Sequence, residues 1–271
     1  MNRQHIIEQI KRKRSFLCVG LDSESSKIPA HLLSEPEPLY AFNKAIIEAT
    51  ADRAVAYKIN MAFYEQYGLK GWEIMEKTLQ AIPESCFVIA DAKRGDIGNT
   101  GKMYAKAFFE TYNYDAITVS PYMGQDSIQP FLDYKDKFTI VLGLTSNAGS
   151  SDFQMLETPE GKLYQSVISK TMEWGTIDNL MFVIGATKAE KFKEIRQIVP
   201  DHFLLVPGIG AQGGNLEEVA LNGMNNDCGL LVNASRSIIY ASQGHDFQEA
   251  AAREALAIQQ DMEKHLDRKG I

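Results

Sequence analysis

The sequence predicts a single α/β domain folded as a (β/α)8 TIM barrel. Three observations carry that expectation. At 271 residues the chain is close to the roughly 250 residues that such barrels use. Eight short apolar runs recur along it, continuous rather than alternating in polarity, as expected of parallel strands buried on both faces. Segments with helical spacing lie between those runs.

In chain order the runs read Phe16-Leu17-Cys18-Val19, Ala54-Val55-Ala56-Tyr57, Cys86-Phe87-Val88-Ile89, Ala116-Ile117-Thr118-Val119, Phe138-Thr139-Ile140-Val141, Met181-Phe182-Val183-Ile184, Phe203-Leu204-Leu205-Val206 and Leu230-Leu231-Val232. Helical periodicity marks residues 39–47, 161–174, 191–198 and the long amphipathic stretch 247–266. Strand followed by helix implies right-handed βαβ units on a parallel sheet. Eight units close best as a barrel, with a doubly wound open sheet as the competing arrangement. Glu35-Pro36-Glu37-Pro38 reads as a turn leading into a helix, and no repeat or Gly/Ser linker interrupts the chain. One domain over residues 1–271 is expected.

Composition narrows the function classes. The chain is 45% hydrophobic and 23% charged, an ordinary globular balance. A formal net charge of -7 gives no global footprint for nucleic acid or an anionic membrane, so an anionic ligand needs a local cationic site. Cys18, Cys86 and Cys228 are odd in number and far apart, which argues against a disulfide framework and a zinc site and suits a reducing cytoplasm. Residues 1–14 are polar and basic with no apolar segment after them, and no run approaches a membrane span of ~20 apolar residues. A soluble cytoplasmic protein is expected.

Active sites of these barrels lie at the C-terminal ends of the strands, so the polar residues that terminate the runs are the candidates. The first run leads to Asp22, the second to Lys58, the third to Asp91 and Lys93, the fifth to Thr145-Ser146-Asn147, and the eighth to Ser235-Arg236. Charges at so many strand exits are costly to desolvate unless paired or in use. In Asp91-Ala92-Lys93-Arg94-Gly95-Asp96-Ile97, an extended strand puts Asp91 and Lys93 on one face, and Asp96 follows on the turn that Gly95 permits. Alternating charges stabilise each other's ionised forms. A lysine held beside a carbon that has lost CO2 can protonate the carbanion, while nearby carboxylates disfavour a substrate carboxylate. A structural salt-bridge network is the plainer alternative.

The far side of the barrel suits phosphate. The seventh run enters Val206-Pro207-Gly208-Ile209-Gly210-Ala211-Gln212-Gly213-Gly214, with Asn215 placed to cap the next helix. Such glycines let backbone N–H groups approach an anion, Gln212 adds a donor, and the fork of Arg236 matches phosphate oxygens. A tight turn is the alternative for the glycines alone. No metal site is expected: His5, His31, His202, His245 and His265 show no ligand spacing, and lysines in the acidic cluster repel a cation. No G-x-G-x-x-G opens a first βα unit, so no dinucleotide cofactor is expected.

Asp91-Ala92-Lys93-Arg94-Gly95-Asp96-Ile97-Gly98-Asn99-Thr100 resembles the signature of orotidine 5′-phosphate decarboxylases, in their longer bacterial branch. Gly20-Leu21-Asp22, Tyr57-Lys58-Ile59-Asn60, Pro207 to Gly214 and Asn233-Ala234-Ser235-Arg236-Ser237 match in order, so the resemblance runs from about Phe16 to Tyr240. It implies a cofactor-free conversion of orotidine 5′-monophosphate to uridine 5′-monophosphate and CO2, the last step of de novo pyrimidine synthesis. Lys93 is then the acid that protonates C6, Asp91 faces the departing carboxylate, Lys58 completes the array and touches ribose, and Asp22 also binds ribose. Residues matching catalytic Asp96 and substrate-binding Ile97 and Thr100 reach the neighbouring subunit's site, implying a homodimer. Ser146 is implied at the pyrimidine, Gln212 and Arg236 at the phosphate, and Pro207 among the substrate-binding residues. Thr145-Ser146-Asn147 differs from the base-contacting segment of shorter members, and Gly98-Asn99 stands where some carry Pro-Glu.

Three other readings remain at this stage. A sugar-phosphate decarboxylase or aldolase of the same barrel group stabilises an enediolate with Mg2+ and needs acidic ligands where this chain has lysines. A Schiff-base aldolase would use Lys58 or Lys93 as nucleophile. A silent nucleotide-binding barrel would keep the phosphate site but has no need of the charged cluster.

Overall fold

The computed structural model describes residues 1–209 and 213–271. Eight strands form a closed, wholly parallel barrel. They are β1 (Leu17–Gly20), β2 (Ala54–Asn60), β3 (Phe87–Arg94), β4 (Ala116–Val119), β5 (Phe138–Leu144), β6 (Leu180–Ile184), β7 (Leu204–Pro207) and β8 (Leu230–Ala234). Each contains part or all of one predicted apolar run, and the open-sheet alternative is excluded by β1 pairing with both β2 and β8. Burial on both faces explains why these runs lack alternation: the inner face fills the barrel and the outer face meets helices. Phe16, Phe87, Phe138 and Phe182 are fully or almost fully buried, each such side chain contributing ~1.5–3 kcal/mol by leaving water.

The predicted helical stretches are helices Pro38–Thr50, Leu163–Met172, Phe192–Ile198 and Phe247–Lys269. Pro38 sits in the first turn of its helix, where its missing N–H costs nothing. The second stretch begins later than its periodicity suggests. Gly161 and Lys162 pair instead with Glu157 and Thr158 in a two-residue hairpin, where Gly161 takes φ 118°.

Residues 3–13 also form a helix, capped by Asn2, whose side chain accepts from His5 N. Ile6, Ile7 and Ile10 are its buried stripe. It packs near the N-terminal ends of the strands, where Lys13 Nζ donates to the carbonyls of Ala51 and Ala54, each at 2.7 Å. At the same end Arg196 is partly buried and pairs with no carboxylate among the described residues: its guanidinium donates to the carbonyls of Val199, His202, Gly223 and Gly229. The three cysteines are buried and unpaired. No helix among the described residues is long and apolar enough to cross a membrane.

Candidate active site

At the C-terminal ends of the strands a cavity of about 330 Å³ opens into the barrel mouth. Asp22, Lys58, Asp91, Lys93, Ser146, Pro207 and Arg236 all line it. On one wall four of these form a chain of alternating charge. Lys58 Nζ donates to Asp22 Oδ1 at 3.3 Å and to Asp91 Oδ2 at 3.0 Å, and Lys93 Nζ donates to Asp91 Oδ1 at 2.7 Å.

Strand register explains the meeting. Gly20 lies opposite Lys58 in the β1–β2 ladder, Asn60 lies opposite Asp91 in β2–β3, and Leu21 N continues the first pairing by donating to Lys58 O at 2.9 Å. Lys58 is 3% exposed. Burial alone would lower its pKa, but the carboxylates of Asp22 and Asp91 outweigh that and raise it well above the usual lysine value. For Asp91 burial pushes upward, and Lys58 and then Lys93 overcome it, holding the carboxyl well below its ordinary range. Cys18 beneath them behaves as core, its thiol pushed up to about 12 by burial.

Two details depart from the sequence reading. Asp91 and Lys93 converge, but not by regular alternation on an extended strand. Lys93 has φ 49°, in the left-handed region, and the β3–β4 register shifts between Ala90 and Arg94. The carboxylate that completes the array within this chain is Asp22 rather than Asp96. Asp96 is absent from the cavity lining and its Oδ1 accepts from Ile97 N at 2.8 Å, while Ile97 and Thr100 are exposed outside the cavity.

The opposite wall is formed by β5 to β8. Ser146 is half-buried at the cavity, on a loop stapled by Gln154, which accepts from Thr145 N at 2.8 Å and donates to Thr145 Oγ1 at 2.8 Å. Gly185 allows that loop to close down, since a Cβ there would lie 2.7 Å from Ser146 N. Past β7, Gly208 takes φ 102° and its carbonyl accepts from Gly214 N at 3.0 Å. Asn215 caps helix Leu216–Gly223, accepting from Glu217 N at 2.9 Å. Gln212 lies outside the described residues. Arg236 is exposed at the rim, and no carboxylate pairs with it among the described residues.

Sequence reasoning quoted Asn60, Thr118 and Asn233 without giving them a place in the site, and all three line the cavity. Asn233 directly follows the run Leu230-Leu231-Val232, a signal available in the sequence, whereas Thr118 lies inside a run as a β-branched residue. Asn233 Nδ2 donates to Ser235 Oγ at 3.2 Å, whereas its Oδ1 is buried with no hydrogen-bond partner among the described residues. That leaves an acceptor at the cavity for a ligand donor.

Comparison with known proteins agrees with this geometry. Residues 15–253 match the family described as "Orotidine 5'-phosphate decarboxylase / HUMPS family". The chain belongs to the orotidine 5′-phosphate decarboxylase / HUMPS family. Among its curated relatives, a Flavobacterium johnsoniae protein named orotidine 5′-phosphate decarboxylase is 58% identical over 272 residues, covering 99% of this chain and 100% of that one. A protein of the same name from Porphyromonas gingivalis is 58% identical over 275 residues, covering both chains completely. Among solved structures, the OMP decarboxylase of Leishmania donovani aligns at 37% identity with a TM-score of 0.81, over 94% of this chain and 98% of that one. As a member of this family the chain places its charged array and its glycine-bearing β7 exit on opposite sides of one barrel mouth.

Proposed function

We propose that this protein decarboxylates orotidine 5′-monophosphate to uridine 5′-monophosphate and CO2 in de novo pyrimidine synthesis. It does so without a cofactor, as a cytoplasmic homodimer of one-domain chains. The observation that carries the reading is the Lys93–Asp91–Lys58–Asp22 array facing the cavity rim that bears Arg236. An anionic nucleotide spans such a cavity with phosphate at Arg236, ribose at Asp22 and Lys58, and the pyrimidine at Ser146.

In that pose the substrate carboxylate faces Asp91, which is ionised and cannot donate to it. Breaking the C6–CO2 bond leaves the electron pair on C6 and removes a negative charge from beside Asp91. The carbanion is then favoured by the Lys93 ammonium, whose Nζ proton forms the new C6–H bond. Lys93 is left neutral and regains its proton from water. Stabilisation realised only as charge moves to C6 raises the rate of the chemical step.

The same array weighs against the sugar-phosphate branch of the family. An enediolate mechanism uses a divalent cation, and here ammonium groups sit against the carboxylates that would ligate it. Asp96, Ile97 and Thr100 act in the partner's site on this reading. They follow the β3 exit, where Ile97 is 52% exposed, and Met103 and Tyr104 on the helix that comes next are exposed too.

The direct test is the absorbance change on incubating purified protein with orotidine 5′-monophosphate in EDTA. Turnover that survives EDTA is expected. Absence of turnover, with turnover of a sugar phosphate on Mg2+ addition, would replace this reading with the rival branch. Borohydride trapping of a substrate adduct would point to Schiff-base chemistry.

A further inference from the structure

Thr118 stands where the β3–β4 ladder breaks. The strands pair through Ile89↔Ala116 and Ala90↔Ile117 and resume at Arg94↔Val119. Asp91, Ala92 and Lys93 therefore face the single residue Thr118, which is 1% exposed. A bulge of this kind re-aims side chains but leaves backbone groups that the ladder no longer serves. Thr118 Oγ1 accepts from Lys93 N at 2.9 Å and donates to Asp91 Oδ1 at 3.0 Å. One oxygen atom thus touches both the left-handed backbone of Lys93 and the side chain of Asp91.

We propose that Thr118 is a positioning residue for the decarboxylation, a single-atom brace that fixes Asp91 and Lys93 relative to each other. The inference rests on the decarboxylase reading above. Asp91 Oδ1 takes Thr118 and Lys93, and Oδ2 takes Lys58, so the carboxylate plane is set from both sides. Removing the hydroxyl leaves Lys93 N without its acceptor and lets the carboxylate turn between its two lysines. The Lys93 side chain itself is half exposed, and among the described residues its ammonium pairs with Asp91 alone. Its aim therefore depends on the backbone beneath it.

The test is steady-state kinetics of Thr118→Val and Thr118→Ser on orotidine 5′-monophosphate, with uridine 5′-monophosphate inhibition as a binding control. Valine keeps the shape and removes the hydroxyl. Its kcat is expected to fall about 10- to 100-fold, the scale of a misplaced reacting group. KM and the inhibition constant should stay within about threefold, because ribose and phosphate contacts are intact. Serine restores the hydroxyl and should return kcat to within about threefold of wild type. If the valine protein does not fold, Thr118→Ala supplies the same comparison. An unchanged kcat in the folded variant lacking the hydroxyl would overturn the assignment. So would a serine variant as slow as valine, since restoring the hydroxyl would then not restore the rate. A wild type inert toward orotidine 5′-monophosphate would overturn the decarboxylase reading and this inference with it. An active wild type with an equally fast valine variant would overturn Thr118 alone.

Discussion

Lys93 Nζ lies 2.7 Å from Asp91 Oδ1 although only Ala92 separates the two residues in the chain. Side chains two apart on a regular strand share a face but stand apart along it. Here the positive φ of Lys93 folds the pair together. For a non-glycine residue such a conformation costs on the order of 1–3 kcal/mol and persists when surrounding contacts enforce it.

Lys93→Ala removes the proton donor and leaves the phosphate end intact. Its kcat should fall by about 10²- to 10⁴-fold or more, the usual weight of a positioned general acid. Affinity for uridine 5′-monophosphate, measured by calorimetry, should change little. A large loss of affinity with preserved turnover would contradict the role.

Arg236→Ala acts at the other rim. Losing charge-assisted hydrogen bonds worth about 1.5–3 kcal/mol should raise KM by about 10- to 150-fold. Initial rates across substrate concentration decide it, and an unchanged KM would remove Arg236 from the phosphate site.

Subunit complementation tests the shared site. Lys93→Ala and Asp96→Ala proteins should each be nearly inactive alone. Mixed and allowed to exchange, they should recover about a quarter of wild-type activity, because half the dimers are hybrid and each has one intact site. No recovery after proven exchange would confine the site to one chain.

Lys58→Met removes the cation between Asp22 and Asp91. The depressed Asp91 pKa makes its contribution to stability present above about pH 4 and lost as pH falls through the folded-state value. The raised Lys58 pKa makes its own contribution complete below about pH 10 and lost above the folded-state value. The variant should therefore lose about 3 kcal/mol at pH 8, because partly buried Asp22 and Asp91 both lose the cation between them. The deficit should narrow at pH 4, where the paired Asp91 carboxylate begins to lose its contribution. Urea unfolding at the two pH values measures this, and equal deficits would show that the charges do not govern it.

His202 gives a second pH signature, away from the site. It is 6% exposed, packs edge-on to Phe182, and neither ring nitrogen has a hydrogen-bond partner among the described residues. Burial, then the Arg196 charge, lowers its pKa to about 4. A depressed histidine favours the folded state when neutral, so stability should decline by about 3 kcal/mol as pH falls from about 6.5 to about 4. His202→Leu should flatten that slope in thermal melts, and an unchanged slope would clear His202 of the effect.

All eight barrel strands were legible because each is an unbroken apolar run, a pattern that double-sided burial imposes. Asp22, Lys58, Asp91, Lys93 and Arg236 were legible as charges ending such runs. The helix Arg3–Lys13 was harder to see, since three isoleucines form its buried stripe among charged neighbours. The Glu157–Lys162 hairpin was hidden because the residues after Gly161 do have helical spacing. The bulge at residues 91–93 was invisible because nothing in Asp-Ala-Lys marks a left-handed lysine. Thr118 then looked like an ordinary β-branched strand residue, though its hydroxyl faces two charged neighbours.

Gly20 marks the seam where the first strand meets the last. A Cβ at Gly20 would fall 1.9 Å from Ser235 Oγ, and across the same seam Tyr240 Oη donates to Asp22 O at 3.2 Å. Asp22 and Arg236 thus arrive from opposite ends of the polypeptide and become neighbours of one cavity only when the ring shuts. A nascent or partly unfolded chain has half a binding site at each end and a whole one nowhere. Nucleotide should therefore bind the finished ring alone and stabilise it by mass action, resisting any opening of the β1–β8 seam.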